Sequence, residues 1–176
     1  MAATRALGTA LLLTSLLCMA QAPTPPPVNS PLLDHLAGKW VLRGDTMGNA
    51  TTHDLDAEWA LQHHYLRVHE VSREKNDHGQ PQYEAVIHLT WNQDAKRYSC
   101  LWVDVFGGSA EEELGFAEAQ ENKIAFIFRD SKGNLDFEND FTYDPKADAW
   151  EWALDNVKQG VHKRFARYKL TRAEPR

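Results

Sequence analysis

The residues with the greatest chemical reach lie in a few short runs. One is Leu101-Trp102-Val103-Asp104, and another is the closing segment from His162 to Leu170. Successive side chains of a strand point to opposite sides, so His162, Arg164, Ala166, Tyr168 and Leu170 share one face, and Lys163, Phe165, Arg167 and Lys169 share the other. The first set has the better claim to an interior. An inward Arg164 would be a costly buried charge unless it met a carboxylate, an anionic ligand or an aromatic ring such as Trp40. Asp104 stands at a strand end, where a carboxylate would orient a ligand. Asp104 or a histidine acting as general acid or base would instead make the chain an enzyme.

Other chemistries are disfavoured by spacing. His63 and His64 are adjacent on a strand and face opposite ways, and neither His-x-His nor His-Glu-x-x-His occurs, so no transition-metal centre is expected. Gly107-Gly108-Ser109-Ala110 lacks the spacing of a hydrolase nucleophile elbow. Cys100 has no activating neighbour in sequence and reads as a small buried residue. Glu111-Glu112-Glu113, after two glycines, reads as a solvated turn. Trp59, Trp91, Trp102, Trp150 and Trp152 each offer a large apolar area for core packing or for ligand contact.

The elements that position these residues follow from the rest of the chain. Met1 to Ala20 carries one cation, Arg5, then an apolar run from Leu11 to Leu17, then small residues before a cut after Ala20, the form of a secretory leader. Lipid on Cys18 is disfavoured by the bulky Leu17 before it. Residues 21–31, with Pro23, Pro25, Pro26, Pro27 and Pro31, form a Pro-rich tether. Residues 32–172 are then one ordinary domain, large enough to bury a core without a disulfide or a structural metal. The formal charge is −6 at pH 7, which argues against a nucleic-acid partner. No later run is long and apolar enough for a membrane-spanning helix. Asn49-Ala50-Thr51 fits a glycosylation sequon.

From Trp40 onward, period-two alternation recurs in short runs separated by Gly, Asn, Asp and Pro clusters. His53, Leu55, Ala57, Trp59 and Leu61 alternate with polar residues; Tyr83, Ala85, Ile87, Leu89 and Trp91 do the same, as do Ile124, Phe126 and Phe128. Asn92-Gln93-Asp94-Ala95-Lys96, Asp130 to Asn134 and Asp144 to Asp148 supply the turns. The expectation is an all-β, antiparallel up-and-down barrel of about eight to ten strands, with a helical turn over Pro31–Ala37; a two-sheet sandwich is the competing arrangement.

Leu36-Ala37-Gly38-Lys39-Trp40 resembles the G-x-W opening of the calycins, the superfamily of lipocalins and fatty-acid-binding proteins. With Glu58 to Leu66, Leu101 to Asp104 and the closing Tyr168 and Arg172, residues 32 to 172 resemble a bacterial lipocalin-like domain family of unknown function. The resemblance implies that Trp40 floors the barrel and that an arginine from the chain's end lies across it. Arg167 and Tyr168 are adjacent, so the inward Arg-x-Tyr pair of fatty-acid-binding proteins is not reproduced. The resemblance also brings in a haem-binding variant, with His162 as axial ligand, although the close second glycine of that family's opening is missing. The leading expectation is a secreted or periplasmic protein that binds a small, largely apolar ligand without turnover and without a cofactor. Its binding residues are Trp59, Tyr65, Trp102, Asp104, Arg164 and Tyr168, with Trp40 structural. A filled barrel serving only as an interaction module is the third alternative.

Overall fold

In the computed structural model the described residues are 25–108 and 113–174. The leader and Cys18, part of the tether, Ser109 and Ala110 of the glycine loop, and Glu111 and Glu112 lie outside them. One short helix, α1 (Pro31–Leu36), precedes ten strands: β1 (Gly38–Thr46), β2 (Asn49–Ala60), β3 (Tyr65–Ser72), β4 (Glu84–Asn92) and β5 (Arg97–Asp104), then β6 (Leu114–Glu118), β7 (Lys123–Arg129), β8 (Leu135–Asp144), β9 (Ala149–Lys158) and β10 (Val161–Arg172). Each strand pairs antiparallel with its sequence neighbours, and β1 pairs with β10, which closes the sheet into an up-and-down barrel. This is the expected all-β barrel rather than the sandwich, and its architecture is compatible with a lipocalin-like fold. Closure pairs β1 with β10, the two strands that would otherwise be the exposed edges of the sheet.

The alternation predicts the faces well. Along β3, Leu66, Val68, Glu70 and Ser72 are buried while the residues between them are not, and along β4 Ala85, Ile87 and Leu89 are buried likewise. The turns are stabilised by aspartate: Asp130 Oδ1 accepts from the N–H groups of Lys132 and Asn134, at 2.9 and 2.8 Å, ahead of Gly133 at φ 81°.

One end of the barrel is stoppered. Ser30 caps α1 by accepting from the Leu33 N–H, and Pro31 occupies its first turn, where a missing N–H costs nothing. Leu33 and Leu36 are fully buried against the barrel core. Trp40, 1% exposed, donates its indole N–H to Leu36 O at 2.7 Å. Packed structure therefore begins within the stretch expected to be tether, since Ser30 is buried and the Val28 N–H donates to His63 O.

The closing strand departs from the simple alternation. A register shift between Arg164 and Ala166 inserts Phe165 as an extra residue, the mark of a β-bulge. Phe165 and Ala166 are both at least partly buried, while Val161, His162, Lys163 and Arg164 are exposed. The expectation of an inward His162 and Arg164 is thereby corrected: the bulge shifts the phase, and both residues face solvent. The arginine that reaches Trp40 is Arg172, with its guanidinium carbon 3.7 Å from the indole centroid.

Candidate functional site

At the end opposite α1, the turns after β1, β3, β5 and β7 surround a cavity of about 580 Å³. Its walls differ in character. Strands β7 to β10 contribute Phe128, Phe137, Trp152, Leu154, Phe165 and Tyr168. The opposite wall carries the ionisable groups: His53 from β2, Glu70 from β3, Tyr83 just before β4, and Trp102 with Asp104 from β5.

The polar wall is a connected network. Glu74 accepts from Thr51 Oγ1 at 2.7 Å and from the Thr52 N–H at 3.0 Å. Partial burial works to raise the Glu74 carboxyl, but these hydrogen bonds outweigh it and hold the group below its ordinary range. A hydroxyl that donates to a carboxylate has only lone pairs left, so Thr51 Oγ1 accepts from His53 Nε2, 2.9 Å away. The other ring nitrogen, Nδ1, lies 2.5 Å from Glu70 Oε1. That contact joins His53 and Glu70 where both side chains are nearly sealed from solvent, at 5% and 2% exposure. Burial drives the Glu70 carboxyl upward and Asp104 adds to the rise, against the lowering effect of His53. Glu70 Oε2 is buried with no hydrogen-bond partner.

A second chain runs beside the first. Trp102 Nε1 donates to Tyr83 Oη at 3.0 Å, and Tyr83 donates to Asp104 Oδ2 at 3.2 Å. Asp104 Oδ1 accepts from the Phe106 N–H at 2.9 Å, which ties the carboxylate to the loop at the mouth. Burial, with Glu70 and Asp104 nearby, pushes the Tyr83 phenol far above its ordinary value. The His53 ring lies between Tyr83 and Tyr168, with centroids 5.8 and 5.5 Å away. Tyr168 hydrogen-bonds Thr46 Oγ1 at 2.5 Å, and its phenol is pushed up to about 12, chiefly by burial.

Of the residues singled out from sequence, Trp102, Asp104 and Tyr168 line this cavity together. Trp59 and Tyr65 lie at the opposite end of the barrel. There Trp59 stacks on His63 at 3.8 Å and donates to Asp34, and Tyr65, 39% exposed, opens β3. Arg164 is on the outer surface, and so is His162, whose Nδ1 is 3.2 Å from Glu138. His162 therefore offers no axial nitrogen to the cavity. The sequence reading missed the His53–Glu70 pair. Its signal was present: a carboxylate at the inward position of Leu66-x-Val68-x-Glu70, opposite a strand whose apolar face already contained a histidine. No group of His, Cys, Asp and Glu among the described residues is arranged to hold a metal ion.

Beyond these features of its own, the sequence matches no protein-family model and no curated protein.

Proposed function

We propose that this is a lipocalin-like binding protein, secreted or periplasmic, that holds a small, largely apolar ligand in the open end of its barrel. The supporting observation is the cavity of about 580 Å³, with one aromatic wall facing a compact polar network. Ligand sites combine apolar lining with a few placed polar groups in this way. Both nitrogens of His53 are engaged, by Thr51 and by Glu70, so the imidazole serves here as part of the cavity wall. Export rests on the leader-like residues 1–20.

The test is titration with N-phenyl-1-naphthylamine, a neutral apolar fluorophore. One saturable site should appear, weakened at least about tenfold by Phe137→Asp or Phe165→Asp, which place a charge on the aromatic wall. Absence of a saturable response would overturn the reading.

A further inference from the structure

We propose that the cavity selects an organic ammonium ion, an apolar or aromatic body with a protonated amine at one end, and that Glu70 receives the amine. This rests on the ligand-binding reading above and names the ligand's charge.

The lining is unbalanced. Among the described residues it includes Glu70, Glu74, Asp104, Glu113 and Asp136 against a single cation besides His53, Arg129 at the mouth. Acidity alone would describe any solvated rim. The deciding feature lies deeper: Glu70 is 1% exposed, lines the cavity, and carries an oxygen, Oε2, that meets no donor. Such an atom has lost its water without replacement, a cost that an incoming N–H relieves.

The neighbouring donors cannot fill that role, because they are committed elsewhere. Trp102 gives its N–H to Tyr83, Tyr83 gives its hydroxyl proton to Asp104, and Thr51 gives its own to Glu74. A ligand carboxylate arriving at this wall would meet acceptor oxygens, Glu70 Oε2 and those of Asp104, and no free donor. A ligand ammonium would find an acceptor there, in a cavity also lined by the aromatic rings of Tyr83, Trp102, Trp152 and Phe106. Arg129 leaves the balance acidic, and its guanidinium is held to Gly133 O at 3.1 Å in its own exposed turn.

The experiment compares three ligands on one skeleton by isothermal titration calorimetry at neutral pH: 4-phenylbutylamine, 4-phenylbutanol and 4-phenylbutyrate. The wild-type protein should bind the amine at least about tenfold more tightly than the alcohol, and the carboxylate more weakly than either. In Glu70→Gln the ratio of amine to alcohol affinity should fall toward one, and in Asp104→Asn it should fall part of the way. An amine bound no better than the alcohol overturns the ammonium proposal and leaves apolar binding standing. Failure of all three, together with failure of the neutral fluorophore, overturns both. The wild-type comparison decides the matter even if a variant does not fold.

Discussion

Arg172 lays its guanidinium 3.7 Å from the indole centroid of Trp40, so the last strand closes over the first aromatic residue of the barrel. The same guanidinium donates to Ala37 O at 2.7 Å and His35 O at 3.1 Å, which satisfies carbonyls around the end of α1. Its pairing with Asp148 is partly exposed and adds little. Arg172→Ala should cost about 2–3 kcal/mol, mostly from the stack and the carbonyl contacts. Arg172→Lys should recover only part of that, because an ammonium lacks the planar fork. Thermal unfolding checks this, with a fall of about 4–12 °C expected for the alanine variant.

His53 and Glu70 form a buried pair, so removing one partner strands the other. His53→Ala and Glu70→Ala should each cost about 3–5 kcal/mol, and the double substitution should cost clearly less than their sum. Urea denaturation of the four proteins measures the coupling. Additive losses would show that the two side chains do not depend on one another.

Gly44 lies on β1 opposite Tyr168 of β10: an added Cβ would sit 1.9 Å from the Arg167 carbonyl oxygen and 2.9 Å from the Tyr168 Cα. The obstruction is backbone, which cannot step aside as a side chain would. Gly44→Ala should therefore force the closing seam apart at a cost of about 3 kcal/mol. Hydrogen exchange should show the lost protection concentrated in β1 and β10. At Gly115 the added Cβ would meet the far edge of the Phe128 ring at 2.6 Å, and that ring lines the cavity. Gly115→Ala should push the ring inward and weaken fluorophore binding more than it lowers the melting temperature.

Burial raises the Cys100 thiol and the Tyr83 and Tyr168 phenols above their ordinary values of 9.0 and 10.0. Below about pH 8 these groups are protonated in both folded and unfolded chains and leave stability unchanged with pH. Above it the unfolded chain releases protons that the folded chain keeps, so stability falls with rising pH, at about 1.4 kcal/mol per unit for each such group. Denaturation at pH 8, 9.5 and 11 should trace the decline, and Cys100→Ala should remove its earliest part. The thiol itself should resist Ellman's reagent at pH 8 until the protein unfolds.

Barrel topology was legible because each strand obeys its own period and each hairpin has its own turn residues, both of which are local properties. Trp102, Asp104 and Tyr168 were legible as cavity residues for the same reason: Trp102 and Asp104 close β5, and Tyr168 follows the alternation of β10. Arg164 was not, since a bulge at Phe165 shifts every residue before it to the other face, and nothing in the sequence around it marks the extra residue. Trp59 and Tyr65 have the residue types of a binding wall but stand at the stoppered end, a distinction set by the order of hairpins around the whole barrel. The His53–Glu70 contact joins residues 17 positions apart on neighbouring strands. Each side chain reads as ordinary until the register brings them together.

The first and last strands begin and finish at the pole that α1 occupies, beside the turn from which His63 O receives the Val28 N–H. Hence the described chain enters and leaves the barrel at the blind pole, and the turns that frame the cavity stand at the other.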